Sequence, residues 1–350
     1  MTIAFYISGH GFGHASRSIE VINALVDRRP GLRIIVRSAV APWLVRRTVR
    51  PGVTLEPAQC DTGVVQFDSL NLDARATLER AREFMATFPD RVAAECAWLS
   101  RAGVSLVVAD LPPLGIAAAS AAGIPGVAFG NFTWDWIYAG YEGGADLADQ
   151  IGRVYEDTTL ALRLPMSGGF ATMPSVIDIP FVARRSAREA AEVREALGLP
   201  KDERLALVSF GGYGVDGLNV AALRALPGYR ILLPGDLDEQ AMYARGIRYE
   251  DLVRAVDVVV SKPGYGIISE CLANETALLY TSRGDFAEYD VLVAAMPRFL
   301  RVAFIEQADL LGGNWGPHLD ALLAQPAPQE KPATNGADIA AQLITELTGV

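Results

Sequence analysis

Three histidines occur in the 350 residues, His10, His14 and His318, and two of them share one short glycine loop, Gly9-His10-Gly11-Phe12-Gly13-His14. Histidine is the side chain whose ordinary pKa suits proton abstraction near neutrality. A loop leaving the end of a strand is where an exposed base is expected. His14, at the mouth of the following helix, is the candidate base. His10 either joins that chemistry or hydrogen-bonds the backbone of its own loop. No carboxylate in the loop completes a metal site with the two imidazoles, so no metal is expected.

The first loop has two counterparts, at Gly211–Gly214 and Gly264–Gly266, and each of the three follows an apolar run that reads as a strand. A glycine turn between strand and helix needs no ligand. Three such turns, each opening a helix, also offer free N–H groups to phosphate at the carboxyl ends of strands. None is a Walker loop, since no Gly-Lys-Ser/Thr follows, and the first misses the dinucleotide fingerprint because Ala15 follows His14.

The elements that must position these loops alternate between strand and helix. "TIAFYIS", "LRIIVRS", "VSLVVAD" and "PGVAFGN" are strands, while "SRSIEVINALVDR" and "PLGIAAASAAG" have helical spacing. The run Leu111–Phe129 is apolar but broken by prolines and glycines, which predicts a buried strand–helix–strand passage and not a membrane span. After the arginine- and alanine-rich "VARRSAREAAEVREALGLPKDER" the pattern restarts with "LALVSFGGYG", "YRILLPG", "VDVVVSKPGYG" and "ETALLYTSR". This predicts two doubly wound α/β domains, residues 1–180 and 181–330, with a C-terminal helix in 331–350 that packs back toward the first domain.

Composition narrows the partners. A formal net charge of −10 argues against nucleic acid, whose phosphates need a basic face. Three widely spaced cysteines, Cys60, Cys96 and Cys271, build neither a disulfide framework nor a zinc site, which fits a reducing cytoplasm. No signal region or membrane span is expected, though contact with a membrane surface stays open. The run Arg28, Arg29, Arg33, Arg37, Arg46, Arg47 and Arg50 is either a solvated face or a patch for an anionic acceptor or headgroup. The aromatic cluster Phe132, Trp134, Trp136, Tyr138 and Tyr141 is either core or a platform on which a sugar stacks.

The segment "YISGHGFGHASRSIEVINAL" resembles the N-terminal loop and helix of GT-B glycosyltransferases related to the lipid-linked peptidoglycan N-acetylglucosaminyltransferase. It is closer still to the glycosyltransferase-like N-terminal region of plant L-arabinokinases. "REALGLPKDERLALVSFGGYG" and "VDVVVSKPGYGIISECLANETALLYTSRGDFAEYDVL" resemble the donor half of that superfamily. With the chain ending at Val350, no sugar-kinase domain is expected to follow.

The resemblance implies a GT-B fold, two facing Rossmann-like domains with a cleft between them. It also implies a cytoplasmic, metal-independent, inverting hexosyltransferase whose nucleotide-sugar donor is a substrate and not a cofactor; UDP is the nucleotide expected from the family, while the residues name neither base nor sugar. The acceptor is left unidentified: a small molecule, a glycan or a lipid-linked species. An epimerase or hydrolase on the same fold, or a sugar-nucleotide-binding protein without turnover, is the alternative. Carried onto matching positions, His14 is the base and Asp110 the carboxylate that orients it, unless Asp110 only forms a turn before Pro112-Pro113.

Gly9, His10, Gly11, Gly13 and Trp134 fall on the acceptor side or shape the loop. Glu270 falls at the ribose-binding carboxylate; Gly264, Tyr265, Gly266 and Ile267 begin the helix that faces the diphosphate. Lys262 stands where relatives often carry histidine, and Gly211, Gly212 and Tyr213 close the same pocket beside Phe210, with Arg283 adding charge. Glu288 and Tyr289 occupy an acidic–glutamine pair that contacts the donor sugar. Tyr289 replaces the glutamine, so the sugar specificity of the relatives does not transfer.

Overall fold

A computed structural model of the chain describes residues 1–211 and 214–348. Its first unit begins with strands β1 (Thr2–Ile7), β2 (Arg33–Ser38) and β3 (Val53–Pro57), followed by a small hairpin of β4 (Val65–Gln66) and β5 (Leu72–Asp73). Strands β6 (Leu106–Asp110), β7 (Gly126–Phe132), β8 (Leu160–Gly168) and β9 (Val176–Asp178) complete it. Seven of these strands form one sheet in the order β3-β2-β1-β6-β7-β8-β9, with every pairing parallel.

Each residue of β1 is buried, as a parallel strand covered on both faces must be. Ile3, Phe5 and Ile7 enter the layer that holds Ile19, Ile22 and Leu25 of helix Gly11–Arg28. Ala4 and Tyr6 enter the opposite layer with Ile116 and Ala119 of helix Pro113–Ala122. The passage from Leu111 to Phe129 is accordingly helix then strand inside this core.

The second unit contains β10 (Arg204–Val208), β11 (Tyr229–Leu232), β12 (Val258–Ser261), β13 (Ala277–Tyr280) and β14 (Val302–Phe304), paired in parallel as β11-β10-β12-β13-β14. Each sheet reverses its order once, between β1 and β6 in the first and between β10 and β12 in the second. Such a reversal opens a crevice at the carboxyl ends of the strands, where ligands bind in open α/β sheets. All three glycine loops leave β1, β10 or β12, so they sit at these two crevices.

The units are joined by more than one connection. Val182 pairs with Asn335 as an isolated antiparallel bridge, and Gly336 then starts the last helix, where a Cβ would overlap the Pro180 carbonyl. That helix, Gly336–Leu347, buries Ala340, Ala341 and Ile344 completely and packs against helix Gly11–Arg28 of the first unit. The β4–β5 hairpin also reaches across: Leu70 is buried with Val208 and Phe210 of the second unit, and Ser69 Oγ donates to the Phe210 carbonyl at 2.6 Å.

One boundary differs from the sequence reading. The first helix begins at Gly11, inside the glycine loop, so His14 lies in its first turn and not in the loop before it. Gly11, at φ +71°, makes the turn into the helix, a conformation that favours glycine.

Candidate active site

In the first sheet the register pairs Ile7 with Asp110, so the loop after β1 and the end of β6 lie side by side. His14, Arg17 and Ser18 fall three and four residues apart on the helix that follows, hence on one face. All three converge on the Asp110 carboxylate. Oδ1 takes His14 Nδ1 at 2.9 Å and Arg17 Nη2 at 2.6 Å; Oδ2 takes Arg17 Nε at 2.8 Å and Ser18 Oγ at 2.7 Å. Asp110 is 1% exposed. Burial raises its pKa, but the Arg17 and His14 charges and hydrogen bonds outweigh this and hold it at about 2. The next residue, Leu111, is a non-glycine at φ +71°, a strained backbone of the kind that gathers at functional sites.

With Nδ1 tied to Asp110, Nε2 of His14 makes no hydrogen bond among the described residues, and the imidazole lines a cavity of about 620 Å³ between the two units. A volume of this size suits a small-molecule ligand. His10 also lines it, half-buried, with burial and then the Arg283, His14 and Lys262 charges lowering its pKa well below the ordinary value, so it is neutral at pH 7. Gly11 and Gly13 line the cavity, whereas Gly9 packs against Ala39 outside it.

Trp134 stands behind the wall, not on it. It is 1% exposed, stacked on Tyr138, and donates from Nε1 to Asp61 Oδ2 at 3.0 Å. Tyr138 and Tyr141 are core as well, and Trp136 is half-buried away from the cavity, so of the aromatic cluster Phe132, 3% exposed, is the member that reaches the cavity wall. Asp61 escaped the sequence reading; Ser8 Oγ also donates to it, and burial pushes its pKa up to about 6. The arginine run does not form one face: Arg37 pairs with Glu95, Arg50 with Asp27, and Arg47 lies between the rings of Trp43 and Tyr243.

The second unit supplies the opposite wall. Gly264, Tyr265, Gly266 and Ile267 begin helix Tyr265–Asn274, whose N-terminus has no side-chain cap, and all four line the cavity. A Cβ on Gly266 would lie 3.4 Å from Gly13 Cα, so two of the glycine loops meet across the cleft. Lys262 makes no hydrogen bond or ion pair among the described residues; burial, then the Arg283 charge, pushes its pKa down to about 7. Beside it Arg283 is 7% exposed, reaches Pro263 O and Glu288 Oε2 only at 3.4 Å, and leaves Nε without a partner. Burial lowers its pKa too. Lys262, which has no anion among the described residues, and Arg283, held to Glu288 at 3.4 Å with Nε left over, therefore face the cavity next to an uncapped helix N-terminus.

Glu288 lines the cavity, and its Oε1 accepts from Asn131 Nδ2 of the first unit at 2.8 Å. Tyr289 does not line it, because adjacent helical residues point apart. Gly211 lines the cavity; Gly212 and Tyr213 lie outside the described residues.

Glu270 lines the far end, 5% exposed, but Arg184, which the sequence reading missed, already holds it. Arg184 donates from Nε at 2.7 Å and from Nη2 to the same Oε1. Burial raises the Glu270 pKa against the Arg184 charge, and Oε2 keeps no partner among the described residues. Glu250 lies 3.8 Å from Arg184, and burial pushes Glu20 in the same cluster up to about 7. Among the described residues no group of three His, Cys, Asp or Glu side chains is placed to hold a metal ion, and no helix is long and apolar enough to cross a membrane.

No family model matches the chain. It is 30% identical to L-arabinokinase of Arabidopsis thaliana over 364 aligned residues, 99% of this chain and 34% of that protein, so it spans about a third of the relative's length. Among solved structures it is similar to the kitacinnamycin glycotransferase, with a TM-score of 0.62 and 18% identity over 99% of this chain and 98% of that one. It is equally similar to Medicago truncatula UGT71G1 complexed with UDP-glucose, with a TM-score of 0.62 and 12% identity over the same shares. The calicheamicin glycosyltransferase CalG4 follows with a TM-score of 0.59 and 14% identity, again over 99% and 98%. The sheet orders, the shared cleft and these likenesses establish the fold: this chain is built on the GT-B plan, two Rossmann-like domains facing one another, and resembles L-arabinokinase along nearly its whole length.

Proposed function

We propose that the chain is a glycosyltransferase that moves a sugar from a nucleoside-diphosphate donor to an acceptor hydroxyl with inversion and without a metal. The observation that carries the reading is one cavity with two walls. The His14–Asp110 pair lies on the first unit; Lys262, Arg283 and the free N-terminus of helix Tyr265–Asn274 lie on the second. In this reading Nε2 of His14 takes the proton of the acceptor hydroxyl while the acceptor oxygen bonds to the anomeric carbon. The bond from that carbon to the phosphate oxygen breaks on the opposite face. The nucleoside diphosphate leaves with its charge held by the two cations and the helix N–H groups.

Glu270 Oε2 is free to accept a ribose hydroxyl while Arg184 keeps Oε1. Glu288, which lines the cavity beside Arg283, would contact the sugar. A uridine donor carrying a hexose is favoured, in keeping with the UDP-glucose held by UGT71G1. The acceptor is a small molecule, glycan or lipid-linked hydroxyl compound.

The test is incubation with a panel of UDP-hexoses and other nucleotide-sugars, with and without hydroxyl acceptors and with EDTA present. Acceptor-dependent nucleotide release and a product of inverted anomeric configuration are expected. Release without acceptor indicates a hydrolase, an isomerised donor an epimerase, and binding without turnover a sugar-nucleotide-binding protein; each overturns the reading.

A further inference from the structure

Arg17 is the most heavily engaged cation beside the candidate base. It is 5% exposed, grips both oxygens of Asp110, donates from Nη1 to Asn131 Oδ1 at 2.5 Å, and places Nη2 3.0 Å from His14 Nδ1. Its guanidinium also covers the ring of Tyr265 at 5.5 Å, the first residue of the donor-side helix. Forming a pair between His14 and Asp110 does not require this arrangement. A buried aspartate and histidine left to themselves favour the carboxylate–imidazolium form, because each charge stabilises the other. A base already carrying the proton cannot take one from an acceptor.

We propose that Arg17 is a positioning residue that keeps His14 neutral and in the Nδ1–H tautomer, so that Nε2 stays open to receive a proton. Its fork satisfies the Asp110 charge and fixes the carboxylate with Oδ1 toward Nδ1, while its own charge opposes an imidazolium at hydrogen-bond distance. The other ionisable groups around the ring do not take over this task. Asp61, from the segment after β3, is negative when ionised and favours an imidazolium. His10, from the loop after β1, is neutral. Arg17 therefore stands against two carboxylates. The inference rests on the reading of His14 as the base.

The chain holds three histidines, so side-chain ¹⁵N NMR of the intact protein can follow His14 directly, with His10→Gln and His318→Gln giving the assignment. The expected wild-type signal is the Nδ1–H tautomer. In Arg17→Met the titration midpoint of His14 rises by about one pH unit or more, the size expected when a neighbouring unit charge is removed. In Arg17→Lys, which restores the charge without the fork, less than half of that rise is expected. The acid limb of turnover moves with the midpoint.

If Arg17→Met does not fold, Arg17→Gln, which keeps donors for Asp110 but no charge, is titrated with the same expectation. An unmoved or lowered midpoint, a lysine variant that shifts as far as methionine, or an Nε2–H tautomer in the wild type overturns the proposal. The titration needs no substrate. A midpoint that moves as expected in a chain that turns over no nucleotide-sugar leaves the role of Arg17 standing and removes the transferase reading alone.

Discussion

Replacing Asp110 by asparagine preserves shape and removes the charge on which four donors converge. The single amide oxygen can accept at most two of them, and the amide NH₂ then faces donors. Arg17 is left as a buried cation without its counter-ion, a loss of about 3–5 kcal/mol. For a chain of this length that lowers Tm by about 5–10 °C. The pH dependence carries the sharper signature.

Asp110 titrates at about 2 in the folded protein against 3.8 for a free carboxyl. A depressed carboxyl contributes stability that is complete above the unfolded value and is lost as pH falls through the folded one. The difference is worth about 2–3 kcal/mol at neutral pH, and about 1 kcal/mol of it is gone by pH 3. Thermal unfolding followed by circular dichroism at pH 7, 5, 4 and 3, wild type beside Asp110→Asn, isolates this share from that of other carboxylates. The gap between the two proteins should narrow below about pH 4. A variant within 1 °C or so of wild type at pH 7, or a gap that stays constant down to pH 3, would refute the assignment of the charge to Asp110.

His14→Ala should lower turnover by about 10²–10⁴ and leave nucleoside diphosphate affinity nearly unchanged, because the site proposed for that ligand lies on the second unit; parallel kinetics and calorimetry decide, and wild-type turnover would place the base elsewhere. Lys262, pushed down to about 7, is mostly neutral at pH 8 and should be recharged by a bound diphosphate. Calorimetry in two buffers of different ionisation heat should then show proton uptake that Lys262→Met removes, and binding that weakens as pH rises past 7; binding with no uptake counts against it. Glu270→Ala takes from Arg184 its hydrogen-bonded counter-ion and leaves it Glu250 at 3.8 Å, so it should cost less than the loss of a lone buried partner, about 1–3 kcal/mol. The double variant Arg184→Met/Glu270→Leu should recover most of that stability while losing the rise in Tm given by UDP, and a double variant that still responds to UDP would remove Glu270 from the ribose site.

Much of the architecture is legible in the chain, since β-branched runs ending in glycine loops are what a parallel strand buried on both faces looks like. The stretch between Ala58 and Ser105 is less so. Its helices Ala74–Ala86 and Phe88–Ala102 carry no glycine loop, and the β4–β5 hairpin earns its burial from a contact with Phe210 more than a hundred residues away. His14 could be singled out because histidine is rare and sits at a strand end.

Arg17 and Ser18, by contrast, read as ordinary polar residues near a helix start. They acquire meaning only when β6 pairs with β1 and brings in Asp110 from 93 positions beyond Arg17. Arg184 was equally silent in an arginine-rich passage until the connection between the units folded it onto Glu270, 86 residues on. Trp134 shows the converse: tryptophan serves core and platform alike, and only the packing of Tyr138, His14 and Asp61 around it decides for the core. Sequence by itself determines local periodicity, turn chemistry and the presence of rare reactive side chains, because these depend on neighbours a few residues apart. Which charges meet, which cations stay without a partner and which aromatics reach the cavity are decided by tertiary structure, because burial and pairing depend on residues that chain topology alone brings together.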